Sequence, residues 1–180
     1  MMNDDTFYTI NPETLRDKPD NMADMRHTMT YYRAQATRTG IEPLSRIHAP
    51  GTAGSCARLL NELTTASDLH TKTVRPAEAE NHERAAFVNR IRLAQVYQWP
   101  GDFGTSTGMF DTLLAQPLPQ YEDFLLQHAG KNAFDMGNYS RALTYFEQAL
   151  AIRKANARTD LIASTKMAVA AARNYLNEDN

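Results

Sequence analysis

The chain has 180 residues, 42% of them hydrophobic and 22% charged, enough to bury a real core as one domain or as one domain with an attached arm. A formal net charge of -2 indicates neither a polybasic nucleic-acid surface nor an acidic tail, so long-range electrostatics is not expected to choose a partner. The single cysteine, Cys56, has no internal disulfide partner, MMNDDTFYTINPE lacks the layout of a secretory leader, and no run approaches the roughly 20 apolar residues of a membrane span; a reducing, cytoplasmic home is expected.

In chain order, residues 1–20 read as an N-terminal arm with one weak strand, TFYTI at Thr6 to Ile10, followed by a linker from Asn11 to Asn21 punctuated by Pro12 and Pro19. Met22, Met25, Met29, Tyr32 and Ala36 recur at helical spacing and predict a helix from about Asn21 to Arg38. Gly40 to Gly54, with Pro43, Pro50, Gly51 and Gly54, reads as a second linker, because proline lacks a backbone N–H and glycine lacks a Cβ. Ser55 is the expected N-cap of a helix that carries Leu59, Leu60 and Leu63 on one face up to about Leu69. Residues 21–75 thus form an N-terminal helical pair, and residues 76–180 a second helical region.

Pro76 suits the first turn of a helix running to Gln98, with Glu78, Glu80 and Glu83 near the favourable end of its macrodipole and Phe87, Ile91, Ala94 and Val96/Tyr97 as its apolar stripe. Trp99, Pro100 and Gly101 end it. A shorter helix is expected from about Thr107 to Ala115, before the QPLP stop at Gln116 to Pro119. Three strong helical segments follow, Gln120 to Met136, Tyr139 to Lys154 and Thr159 to Leu176. The expected class is all-α, with about seven helices in antiparallel pairs.

Within 122–154 the residues follow a small-large logic. Gly130 and Ala133 stand at close-contact positions of a first helix, Gly137-Asn138-Tyr139 makes a turn, and Ala142, Phe146 and Ala149 space small, large and small residues along a second helix. This window resembles one tetratricopeptide repeat, with Lys154 where that family usually has proline. A degenerate second copy lies at about 87–119. There Gly101-Asp102-Phe103 aligns with the later turn, Leu93, Ala94 and Tyr97 take first-helix positions, Phe110 matches the large residue and Ser106 stands where alanine is usual. Gly104 and Gly108 weaken that helix by about 1 kcal/mol each relative to alanine. Thr159 to Leu176, with Ala163, Met167, Ala170, Ala171 and Leu176, is the expected C-terminal cap, which makes the predicted architecture a fragment of an α-solenoid.

Chemical signatures are sparse. The five histidines, at 27, 48, 70, 82 and 128, form neither an HExxH pair nor a zinc-like cluster, and are expected at partly exposed or core-edge positions; no metal or cofactor is expected. PGTAGS at Pro50 to Ser55 lacks the Lys-Ser/Thr ending of a phosphate loop, and GDFG at Gly101 to Gly104 lacks every companion motif of a kinase. Arg26, Arg33, Arg38 and Arg46 with Tyr31 and Tyr32 read as a solvated helix face, not a groove-reading element, so nucleic acid is not an expected partner.

The resemblance implies a non-enzymatic interaction module, an adaptor, scaffold or chaperone-like protein, that holds a protein or peptide segment in a concave groove of its first helices. The positions that match are Gln95, Gln98, Trp99, Gln127, Lys131, Phe134 and Asp135, polar hooks beside aromatic faces. In the chaperone-binding branch of the family an asparagine directly follows the glycine matched by Gly130; here that place holds Lys131, with Asn132 one residue later, so that carboxylate clamp is not reproduced. Two other classes compete: an enzyme or regulator whose activity resides in residues 1–75 with the repeats as accessory, and a structural helical oligomer, such as a homodimer through AVAAARNYL at Ala168 to Leu176, whose small residues permit close helix approach.

Overall fold

The computed structural model describes residues 8–38, 40 and 42–178, leaving out the side chains of Pro43, Leu44 and Arg46. Among these residues there are eight α-helices: α1 (Met22–Ala36), α2 (Pro43–Leu59), α3 (Leu63–Ala79), α4 (Glu83–Gln98), α5 (Phe103–Ala115), α6 (Glu122–Asp135), α7 (Tyr139–Ala155) and α8 (Thr159–Glu178). They pack as sequential antiparallel neighbours, with a 3-10 turn at Pro119–Tyr121 before α6. A two-stranded hairpin, β1 (Tyr8–Ile10) with β2 (Asp17–Pro19), precedes them. No described helix is long and apolar enough to cross a membrane.

One local device repeats along the chain. The helices before the turns at 61, 81, 101, 137 and 157 each end in a left-handed residue, in turn Asn61, Asn81, Gly101, Gly137 and Ala157. In each case the next N–H, from Glu62, His82, Asp102, Asn138 or Arg158, reaches back to the carbonyl five residues earlier, on Ala57, Ala77, Tyr97, Ala133 or Arg153, at 2.7–3.0 Å. This is the Schellman closure, which satisfies the last carbonyls and reverses the chain within a few residues. Asp102 and Asn138 then cap the following helix, their side chains accepting from the N–H groups of Thr105 and Arg141. Helix, reversal and helix therefore succeed one another with little connecting chain.

These turns correct several expectations. Gly40 to Gly54 is not a linker beyond residue 42, since Pro50, Gly51 and Gly54 lie inside α2. Ser55 is an interior residue whose hydroxyl donates to the Gly51 carbonyl. The second helix does not run to Leu69; it stops at Leu59, and α3 begins at Leu63. Pro76 sits inside α3, close to its end, and the next helix starts at Glu83, so Glu78 and Glu80 belong to the C-terminal end of α3. The physical reason is tertiary. A Cβ at Gly51 would stand 2.6 Å from Asn89 Oδ1, and one at Gly54 would stand 2.9 Å from the His70 ring, so these glycines serve close helix approach. The hairpin also changes the reading of Asn11 to Asn21, since Asp17–Pro19 pairs as a strand; Thr6 and Phe7 of the expected TFYTI strand lie outside the described residues.

By their internal contacts the described residues form two units, one within 8–9 and 17–96 and the other within 10–16 and 97–178. In the first, Met25, Met29, Ala53, Cys56, Ala57, Leu60, Ala66 and Val96 form a buried cluster against which Tyr32, Leu59, Leu63 and Leu69 pack. Met22, expected on that stripe, is instead exposed at the first helical position. A buried ion pair joins Arg58 Nη2 of α2 to Asp17 Oδ2 of β2 at 2.9 Å. His70 is fully buried, contrary to the expectation of core-edge histidines; its Nδ1 lies 3.0 Å from Asn89 Oδ1, and the Asn89 amide donates to the Ala85 carbonyl.

In the second unit the core is the cluster of Ala133, Phe134, Ala142, Phe146, Ala168, Val169, Ala171 and Ala172, together with Leu15. Phe146, Ala142 and Ala149 are fully buried, as the small-large spacing predicted. Ser106, standing where alanine was expected, is also fully buried and its hydroxyl donates to Asn132 Oδ1 at 2.7 Å, while the Asn132 amide donates to the Thr107 hydroxyl at 2.9 Å. A buried arginine joins three helices. Arg153 of α7 donates through Nε to Asp123 of α6 at 2.9 Å, and through Nη1 to Gln127 at 3.1 Å and to the Thr165 hydroxyl of α8.

Candidate functional site

The site is built on the hairpin loop from Asn11 to Arg16. Asn11 Oδ1 accepts the N–H groups of Glu13 at 2.9 Å and Thr14 at 3.0 Å, the Leu15 N–H donates to the Asn11 carbonyl at 2.8 Å, and the Asn11 N–H donates to the Arg16 carbonyl at 2.9 Å. The loop thus satisfies its own backbone locally. Leu15 occupies the left-handed region, with φ of 55°. For a residue with a Cβ that conformation costs about 1–2 kcal/mol, which is why glycine or asparagine usually stands there. Leucine at such a position is explained by its side chain. It is 2% exposed, within the cluster supplied by α6, α7 and α8, and such burial contributes about 1.5–3 kcal/mol.

Next to it, Arg16 donates through Nη2 to Asp135 Oδ2 at 2.9 Å and through Nη1 to the Trp99 carbonyl at 3.3 Å, and its guanidinium lies 5.3 Å from the centroid of the Trp99 ring. Gln98 Nε2 donates to the same Asp135 oxygen at 3.1 Å. The Asp135 side chain is only 8% exposed, whereas that of Arg16 is 40% exposed. A nearly buried carboxylate is therefore held by two donors, one from α4 and one from the loop. An aromatic ring and a carbonyl complete a seat for a planar cation.

Four of the seven sequence-predicted residues, Gln98, Trp99, Phe134 and Asp135, accordingly converge, on Leu15 and Arg16. The other three do not. Gln127 is buried and accepts from Arg153 inside the helix pair. Gln95 is buried in the first unit, its Nε2 unmatched by any hydrogen bond. Lys131 is half-buried, one turn ahead of Asp135 on α6. Gln95, Gln98, Gln127 and Phe134 are all buried. Most of α6 is enclosed, from Asp123 to Phe134, so its polar residues serve internal bonds. Phe134 packs edge-on against Tyr139 and Tyr175, and those two rings stack with centroids 4.7 Å apart. Asn132, the displaced counterpart of the clamp asparagine, is buried and taken by Ser106 and Thr107.

Leu15 and Arg16 were missed, lying in a stretch read as arm and linker. The available signal was local: Asn11-Pro12 is a turn opener between TFYTI and RDKP, and asparagine accepts from its own following N–H groups.

A second feature is a shallow, open cleft bordered by α5, α6 and α7. Asp111 and Arg141 line it, paired at 2.6 Å, with Arg141 Nε donating to the Tyr145 hydroxyl at 2.9 Å. Its charges neutralise each other at the rim. Among the described residues no group of three or more His, Cys, Asp and Glu is placed to hold a metal ion. Burial pushes the His70 imidazole down to about 4 and the Cys56 thiol up to about 11, which holds both neutral at pH 7. The small residues of the proposed dimer stretch, Ala168, Val169, Ala171 and Ala172, are buried in the chain's own core.

No protein-family model matches the chain, and no curated protein matches it. What these residues define is an all-helical protein of sequential antiparallel helices whose most organised polar cluster grips one of its own loops.

Proposed function

We propose that the chain is a non-enzymatic protein–protein interaction module of the tetratricopeptide type, working in the cytoplasm, which binds a peptide segment of a partner at the surface where Trp99, Phe134 and Asp135 meet. The observation that carries this reading is that a segment remote in sequence, Leu15–Arg16, is already seated there by an apolar contact, a charge-assisted pair and a carbonyl. Those are the means by which a helical groove holds a foreign peptide. The helix pair supports the family reading, since Gly130 and Ala133 face Phe146 and Ala142 as the small-large logic requires.

The test uses Lys131, beside the seat. The full chain and its Lys131→Glu variant are immobilised and exposed to native lysate, and what each captures is compared. Loss of one charge-assisted hydrogen bond weakens a partner by about 1.5–3 kcal/mol, while reversal of a half-exposed lysine leaves the melting temperature within a few degrees. A large fall in melting temperature with every captured protein retained makes Lys131 structural and refutes the reading.

A further inference from the structure

We propose that the Asn11–Arg16 loop is a ligand held in cis, so that the interaction site is closed in the resting protein and opens to a partner presenting an aliphatic residue followed directly by an arginine. This rests on the binding-module reading above and specifies its partner and its regulation.

Three observations lead there. The loop's internal hydrogen bonds run to or from Asn11, with one more from the Arg16 N–H to the Thr14 hydroxyl, and all lie within the loop, so leaving the seat need break none of them. Two side chains seat the loop itself, Leu15 in the apolar cluster and Arg16 on Asp135, Trp99 and its ring, while the strand that follows stays anchored by the Asp17–Arg58 pair. Asp135 keeps Gln98 as a donor when Arg16 departs, so the carboxylate stays oriented for another guanidinium. The occupant also states the chemistry of its replacement. A buried carboxylate beside an indole and a carbonyl selects a planar cation with several donors, which is arginine before lysine, and the adjoining cluster of Ala133, Phe134, Ala168 and Ala172 selects an aliphatic neighbour. Leucine at a backbone position suited to glycine indicates that the loop is kept for this docking.

The probe is a fluorescein-labelled peptide with the sequence of Ile10 to Pro19, titrated by anisotropy against three full-length proteins: wild type, the open variant Leu15→Gly/Arg16→Gly, and the open variant carrying Asp135→Lys as well. A tethered competitor acts at millimolar effective concentration, so the open variant binds the peptide about tenfold more tightly than wild type. Adding Asp135→Lys abolishes that gain, and a probe with glutamate in place of its arginine shows none. Equal binding by wild type and an open variant of unchanged helicity overturns the closure. Tight binding that survives Asp135→Lys overturns the assigned chemistry. If the open variant loses helicity, Arg16→Glu alone, which leaves Leu15 in place, replaces it; binding at least threefold tighter than wild type is then expected, and equality overturns the proposal. Partners captured equally by wild type and open variant, and lost on Lys131→Glu, sink the closure while sparing the binding module. Peptide binding that follows the open state while no captured partner depends on Lys131 spares the cis ligand and sinks the wider reading.

Discussion

Replacing Gly130 with alanine tests the packing that holds α6 against α7. A Cβ there would stand 2.5 and 2.6 Å from two carbons of the Phe146 ring and 3.1 Å from a third. Ordinary carbon contacts lie near 3.5–4.0 Å, so the ring must retreat by about 1 Å. It has nowhere to go, because Phe146 is fully buried among Ala133, Ala142 and Ala168. Overpacking of this kind costs about 1–3 kcal/mol, offset by the roughly 1 kcal/mol that alanine gains over glycine in a helix, and the predicted net loss is about 0–2 kcal/mol. Gly108 in α5 supplies the control. Nothing lies within 4 Å of a Cβ placed there, so Gly108→Ala should stabilise by about 0.5–1 kcal/mol. Urea unfolding followed by the fluorescence of Trp99, the only tryptophan, reports on the unit that contains both sites. With a slope of about 1.5 kcal/mol/M, the two midpoints should separate by about 0.3–2 M. Phe146→Leu added to Gly130→Ala should recover at least about 0.5 kcal/mol relative to additivity, because the shorter side chain vacates the overlap. Two alanine variants shifted equally, in the same direction, would refute the close approach of α6 and α7.

The buried His70 predicts acid sensitivity of the first unit. Burial, with Arg92 and Arg58 adding repulsion against the opposing effect of the Asn89 hydrogen bond, pushes His70 down to about 4, so the unfolded chain takes up a proton near pH 6.5 that the folded chain refuses. Stability is thus complete above pH 6.5 and falls on the way to pH 4, by an amount on the order of 3 kcal/mol; His70→Gln should flatten the urea midpoint over that range, and an unchanged slope would assign the acid sensitivity elsewhere. Cys56 is buried and its thiol is raised to about 11, chiefly by burial and despite the lowering by Arg92, so a thiol reagent at pH 8 should label it only after urea is added. Arg153→Met strands the buried Asp123 and should cost about 3–5 kcal/mol in chemical denaturation, with Arg153→Met/Asp123→Leu recovering most of it; a double variant no better than the single one would count against the pairing.

The class and the later helices were legible because their apolar period and their turn residues agree. From Tyr139 to Ala155 the small and large residues fall where the backbone buries them, and Gly137 and Gly101 announce reversals by being glycine. Equivalent reversals at Asn61 and Asn81 carry only the weaker mark of asparagine, the one at Ala157 carries none, and two adjacent helices were accordingly misjoined. Pro50, Gly51, Gly54 and Pro76 break helices by every local rule, yet they lie within α2 and α3, and the clearance that Gly51 and Gly54 provide for Asn89 and His70 is visible only once α2, α3 and α4 are together. The candidate site divides in the same way. Gln98, Trp99, Phe134 and Asp135 could be chosen from a repeat register, whereas Arg16 reaches Asp135 across 119 residues from a six-residue loop with no period of its own.

The dependence of the second unit on residues 10–16 has a bearing on the order in which the protein is made. That loop emerges from the ribosome well ahead of α8, whose Ala168, Ala171 and Ala172 complete its seat. At about 5–20 residues per second the delay is on the order of 10 s. For the last part of it Arg16 already has Trp99 and Asp135 to bind, while Leu15 still lacks the α8 side of its apolar seat. Full burial of Leu15 therefore waits for α8, a contact across most of the chain and of the kind slowest to form. A nascent chain halted before α8 would leave Leu15 without that cover, and completion of α8 would bury it.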